Sequence, residues 1–218
     1  MKVAVIAGTP VDTKMGIEYL AEKAPALETL YLPCAESPRE CHLFQISSPE
    51  EKNLRIGTLY KQALDSGAQL FFIYCNSLSS TVDFPQLSSD FGVHTVTPMT
   101  AYEKLARRYN VLGVLAANNQ CTKGIEDHFT AVNPNGTIIG VGNLRLTEAV
   151  EAGLPPQRIA SEFGLSFICD YFRVNGCQAI VLGCTHFPYF MDEITSLTDM
   201  PVLDPADIML DELLSACH

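Results

Sequence analysis

The chain repeats itself over half its length. KVAVIA at 2–7 and VLGVLA at 111–116 lie 109 residues apart, and the same offset carries GAQLFFIYC at 67–75 onto GCQAIVLGC at 176–184. Gly, Gln and Cys coincide in the second pair. One shared glycine would be noise, but an apolar run ending in the same residue type at half the chain's length indicates duplication of one structural unit.

The runs themselves identify that unit. Stretches rich in β-branched and aromatic residues at 2–7, 27–32, 68–75 and 93–97 recur at 110–116, 137–141, 178–184 and 201–204. Amphipathic helical patterns fall between most of them, at 51–66, 100–109, 146–152, 157–175 and 206–216. Continuous apolar strands alternating with such helices predict an α/β fold with parallel sheets covered on both faces. In an open parallel sheet, ligands bind beyond the carboxyl ends of the strands. Cys75 and Cys184, which end the matched strands, therefore sit where each half presents chemistry. Two related halves facing each other would place the thiols on opposite walls of one cleft. Each thiol also precedes a turn that starts a helix, Asn76-Ser77 and Thr185-His186, where unpaired N–H groups favour a thiolate.

Composition removes most other readings. With 47% hydrophobic and 18% charged residues over 218 positions, the chain can build a real core, and no apolar run reaches the length of a membrane span. The start MKVAVIAGTP reads as a strand entering a turn rather than as a leader, so the expected location is the cytoplasm, with no membrane partner. A net charge of −11 and scattered cations, apart from Arg107 and Arg108, argue against a nucleic-acid partner. None of the eight cysteines forms a C-x-x-C pair, which removes zinc-ribbon and thioredoxin readings, and no metal site is expected. GTPVDTKMG at 8–16 fits neither the P-loop nor the dinucleotide fingerprint and reads as a turn.

Two opposed thiols suit inversion at a C–H centre: one removes a proton from one face and the other delivers a proton to the opposite face. No pyridoxal lysine or nicotinamide fingerprint is evident, so no cofactor is expected and the carbanion must be stabilised by fixed donors. Asn76, Ser77 and Thr185 are on offer.

These residues carry a resemblance. YCNSLSS at 74–80 is close to the Cys-Asn-Thr segment of the aspartate/glutamate racemase family, and LGCTHFP at 182–188 matches its Gly-Cys-Thr-His-x-Pro segment. VEAG at 150–153 and LDPADIMLDEL at 203–213 extend the likeness along the chain. The resemblance implies two pseudo-symmetric flavodoxin-like domains with the active site in the cleft between them. One comprises residues 1–98 and a returning helix at 206–218, the other residues 99–205. It further implies a cofactor-independent isomerase of a small, carboxylate-bearing, amino-acid-like substrate, with Cys75 and Cys184 as the proton-transfer pair and His186 tuning Cys184. Homodimers are frequent among such proteins.

The chain also departs from that pattern. Where glutamate racemases carry Asp-Ser after the first strand, Gly8-Thr9-Pro10-Val11-Asp12 stands, so Thr9 replaces the serine and a carboxylate is present only if Asp12 folds back. The family's Pro-Tyr-Gly segment reads Pro33-Cys34-Ala35, and the loop opening the second half reads AANNQCT, offering Asn118 and Thr122 to a substrate carboxylate. These changes motivate alternatives on the same fold: a hydantoin racemase, a maleate-type cis-trans isomerase, or a silent ligand-binding protein.

The ordinary expectation for Asp12 and Glu151 is a solvated surface; both are carried as candidates. Asn76 is expected to cap the helix after it. Cys34 and Cys121 belong to loops expected to border the site, whereas Cys41, Cys169, Cys177 and Cys217 are expected to be packing or surface thiols. His42, His94, His128 and His218 are expected to be structural.

Overall fold

The computed structural model describes residues 1–217; His218 lies outside them. In chain order the elements are β1 (Lys2–Ala7), α1 (Pro10–Lys23), β2 (Glu28–Pro33), α2 (Pro38–Gln45), α3 (Pro49–Asp65), β3 (Leu70–Ile73), α4 (Asn76–Ser79), α5 (Phe84–Phe91), β4 (His94–Val96) and α6 (Pro98–Ala106). There follow β5 (Val111–Ala116), α7 (Asn119–Val132), β6 (Thr137–Gly142), α8 (Leu144–Glu151), α9 (Pro156–Glu162), α10 (Leu165–Val174), β7 (Ala179–Gly183), a 3₁₀ turn (Phe187–Phe190), α11 (Met191–Ser196), β8 (Val202–Leu203) and α12 (Pro205–Ser215). They form two compact units: Met1–Pro98 with the segment from Ala206 onward, and Met99–Pro205.

Each unit holds one four-stranded parallel sheet, ordered β2-β1-β3-β4 in the first and β6-β5-β7-β8 in the second. In both, the order reverses between the first and third strands, the switch point at which open α/β sheets bind ligands. The central strands are apolar on both faces because helices cover both: Val3 through Ala7 of β1 and Ala179 through Gly183 of β7 are buried. In the first unit Tyr60 of α3 stacks on Phe71 of β3 at 4.2 Å between ring centres, and Met209 and Leu213 of α12 enter the same core. In the second, Phe172, Phe187 and Phe190 pack with Leu115 and Leu182. Burying a side chain of this size contributes about 1.5–3 kcal/mol.

Two local expectations are corrected. GTPVDTKMG is the start of a 14-residue helix rather than a plain turn: Thr9 is the N-cap and Pro10 the first helical residue, whose missing N–H has no helical partner to lose. The helical pattern at 157–175 is two helices, because Gly164 adopts a left-handed φ of 64° between α9 and α10. No helix among the described residues is long and apolar enough to cross a membrane.

Candidate active site

In the first unit the loops after β1 and β3 meet at the switch point. Gly8 and Thr9 follow β1; Cys75 follows β3 and occupies the N-cap position of α4. Asn76 is therefore the first helical residue rather than the cap expected of it, and it is buried.

Asp12 does fold back. Its carboxylate accepts from the Gly8 N–H (3.1 Å), the Thr9 N–H (2.6 Å) and the Thr9 hydroxyl (3.1 Å), while the Asp12 N–H donates to the Thr9 hydroxyl at 3.4 Å. This reciprocal box leaves Asp12 1% exposed, which overturns the expectation of a solvated carboxylate.

Cys41 is buried, as expected of a packing thiol, but it also reaches the site. A Cβ built on Gly8 would lie 2.7 Å from Cys41 Sγ, 3.3 Å from Cys75 Sγ and 3.4 Å from Asp12 Oδ2, so the absence of a side chain there lets two sulfurs and a carboxylate converge. The Gln45 amide, one turn beyond Cys41 on α2, donates to Cys41 Sγ at 3.1 Å and to Ser77 Oγ at 2.8 Å. Ser77 Oγ lies 3.5 Å from Cys75 Sγ. The Cys41 thiol donates to Cys75, and this is the main reason the Cys75 pKa falls below its ordinary value. Burial and the Asp12 charge oppose the shift; Ser77 and the Leu78 N–H assist it, although the Leu78 contact is too loose to count as a capping hydrogen bond. Cys41, as the donor and itself buried, is pushed well above the usual thiol range. Burial pushes the Cys34 thiol up to about 12, and its carbonyl accepts from Arg55 at 2.7 Å.

In the second unit Cys184 directly follows β7. His186 Nδ1 lies 3.6 Å from its sulfur, and His186 Nε2 lies 2.9 Å from Glu151 Oε1. With the carboxylate accepting at Nε2, the network assigns the neutral imidazole's proton to that nitrogen and leaves Nδ1 to accept from the thiol. The His186 and Glu151 side chains are only 3% and 15% exposed, so Glu151 too departs from the solvated expectation. Thr147 Oγ1 lies 3.7 Å from Cys184 Sγ. Thr147 and Glu151 are four residues apart on α8 and so share a helix face, a spacing that could have drawn attention to Thr147 in the sequence.

The remaining candidates of this unit are spread along its sheet. Asn118 caps α7 by accepting from the Cys121 N–H at 2.8 Å, and the Cys121 thiol donates to the Gly183 carbonyl, one residue before Cys184, at 3.5 Å. Thr185 is buried. Thr122 turns its hydroxyl to the Asn119 carbonyl (2.8 Å) and packs on Gly140 of β6. Burial holds the Tyr102 phenol protonated, and Cys121, Asp204 and Cys184 add to the effect.

Each half is thus a parallel α/β unit that delivers a thiol, backed by acid-base or hydrogen-bonding groups, at the end of its third strand. A sequence profile described as Asp/Glu/Hydantoin racemase matches residues 44–213, and the chain belongs to that family. The glutamate racemase of Shewanella loihica is 28% identical over 174 residues, covering 73% of this chain and 64% of that protein. Curated relatives are matched over 45 to 64% of their own length. Among solved structures, the Francisella tularensis glutamate racemase in complex with D-glutamate aligns at a TM-score of 0.78 and 20% identity, covering 99% of this chain and 80% of that one. An aspartate racemase homologue from Pyrococcus horikoshii aligns at 0.70 and 18% identity, covering 99% of each chain. These structural likenesses establish the shared fold.

Proposed function

We propose that the protein is a cofactor-independent amino-acid racemase acting on a small, carboxylate-bearing amino acid of the aspartate/glutamate type. The observation that carries this reading is the hydrogen-bonded series Glu151–His186–Cys184 at one strand end, matched in the other unit by Cys75, a thiol biased toward its anion.

In one direction the Cys75 thiolate takes the α-proton: the C–H bond breaks, an S–H bond forms, and the electron pair passes into the substrate carboxylate. Cys184 then gives its proton to the opposite face, forming the new C–H bond and leaving a thiolate. His186, held by Glu151, accepts a hydrogen bond from the Cys184 thiol, and once that proton has left, the Thr147 hydroxyl can donate to the thiolate. The reverse reaction exchanges the two thiols' roles. Thr9, Asn76, Ser77, Asn118, Thr122 and Thr185 are the proposed substrate-binding groups, and Asp12 acts by fixing Gly8 and Thr9.

The test is α-proton exchange in heavy water, followed by NMR for each enantiomer of aspartate, glutamate and their close analogues, with optical rotation read in parallel. Exchange and inversion that vanish in Cys75→Ser and Cys184→Ser support the reading. A folded sample with free thiols that exchanges none of these substrates overturns it. The family description also covers hydantoins, so 5-substituted hydantoins run in the same assay test the second reading.

A further inference from the structure

The proposed proton transfer leaves Cys41 and Gln45 without a role, yet both are buried and both belong to a closed ring of four side chains: Cys75, Cys41, Gln45 and Ser77. The two sulfurs converge on the space left open at Gly8.

The ring has a direction. A primary amide has two N–H donors on one nitrogen, and Gln45 Nε2 directs them to Cys41 Sγ and Ser77 Oγ. Each recipient thereby has a lone pair occupied, and its own hydrogen is turned toward a different acceptor. Cys75 Sγ, hydrogen-bonded to Cys41 and 3.5 Å from Ser77 Oγ, is the acceptor within reach of both. One amide orientation thus aims two donors at one sulfur. The opposite orientation, with the amide oxygen facing the ring, would draw both hydrogens away from it.

We propose that Cys41 and Gln45 are positioning residues that polarise this ring so that Cys75 is presented as a hydrogen-bond acceptor ready to take a proton. This deepens the racemase reading and rests on it for the identity of the proton taken. Such a device is needed because the other charged and titratable groups facing Cys75 do not favour an anion there. Asp12 from α1 opposes it directly. Cys34, from the end of β2, is itself held protonated, and Arg55 and Glu40 act on Cys34 with opposite signs. The downward shift of the Cys75 pKa against burial and Asp12 agrees with the ring's polarity.

The experiment is an ultraviolet thiolate titration of the reduced, full-length protein, taking the difference between each protein and its Cys75→Ser counterpart so that only Cys75 is read. Cys41→Ala is expected to raise the Cys75 midpoint by about one pH unit and to lower kcat/KM about tenfold at neutral pH, with KM little changed. Cys41→Ser, which keeps a donor, is expected to recover most of the shift. Gln45→Glu, close in shape but only an acceptor, should turn both hydrogens from Cys75 and raise the midpoint without removing any sulfur. Should Cys41→Ala fail to fold, the serine and glutamate variants carry the same comparison.

An unchanged midpoint in folded Cys41→Ala or Gln45→Glu overturns the proposal, even if racemisation is intact and the functional reading stands. A shifted midpoint in a protein that exchanges no α-proton keeps the ring's role and removes the racemase reading instead.

Discussion

Replacing Gly8 by Ala adds one methyl group where two sulfurs and a carboxylate oxygen already converge. The new carbon would meet Cys41 Sγ at 2.7 Å and Cys75 Sγ at 3.3 Å, against a comfortable separation of about 3.5–4.0 Å. Cys41 Sγ must therefore retreat by roughly 0.8 Å or more. Gln45 already holds that sulfur at 3.1 Å, so the retreat also disturbs its hydrogen bond. Overpacking of this kind costs about 1–3 kcal/mol, and loss of one hydrogen bond adds about 1 kcal/mol. A total near 2–4 kcal/mol corresponds to a fall in Tm of roughly 4–16 °C for a chain of this size. Gly8 has no positive φ, so the expected loss comes from crowding and not from backbone strain. Gly57 supplies the control: its added Cβ would meet Phe91 at an ordinary 3.8 Å within α3, and Ala there should stabilise by about 0.5–1 kcal/mol. Calorimetry and urea unfolding of both variants, with racemisation measured alongside, check the pair. A Gly8→Ala protein that melts with the wild type and keeps its turnover would refute the packing described for Cys41 and Cys75.

Glu151→Gln should remove the charge that holds the His186 imidazole at 2.9 Å while preserving shape; a charge-assisted hydrogen bond of about 1.5–3 kcal/mol predicts a drop in kcat of about 10- to 100-fold with KM nearly constant. A matching change in KM would assign Glu151 to substrate binding instead. Stability should fall as pH rises above about 9, because the folded protein keeps the Cys34 proton up to about 12 whereas the unfolded chain releases it earlier. The Cys34 share, roughly 4 kcal/mol by the upper end of that window, should disappear in Cys34→Ala, and an identical alkaline slope in that variant's urea unfolding would contradict it. Gly142→Ala should be worse than any of these: its Cβ would meet the Asn118 carbonyl carbon at 2.4 Å and the Asn119 nitrogen at 2.6 Å, and backbone at the start of α7 cannot swing aside as a side chain can. A loss of about 3 kcal/mol or more is expected, read as failure to refold or a large drop in urea midpoint.

The sheets were legible in the sequence because parallel strands covered on both faces leave continuous apolar runs, and the repeat located Cys75 and Cys184 at equivalent strand ends. What escaped were contacts made by residues distant in sequence. Cys41 reaches Cys75 only because α2 packs against the loops after β1 and β3, and no local pattern marks such a meeting. Asp12 was more accessible than that: Thr9-Pro10-Val11-Asp12 has the spacing of a capping box with proline at the first helical position, a local signal for both α1 and the returning carboxylate. The break at Gly164 was masked by apolar residues that keep helical spacing on both sides of it.

The two strand-end thiols share a topological address but not a chemical one: Cys75 is supported by a thiol, an amide and a hydroxyl, Cys184 by an imidazole backed by a carboxylate. For the racemisation proposed here, this makes the resting enzyme two species, one with the proton on Cys184 and the other with it on Cys75, each competent for a single enantiomer. Unequal support means that the two halves of the proton exchange need not proceed at equal rates. Enantiomers have equal free energies in water, so kcat/KM must be the same in both directions. Any directional difference in kcat is then matched by an equal ratio in KM, and the return of the proton between turnovers becomes a kinetic step in its own right.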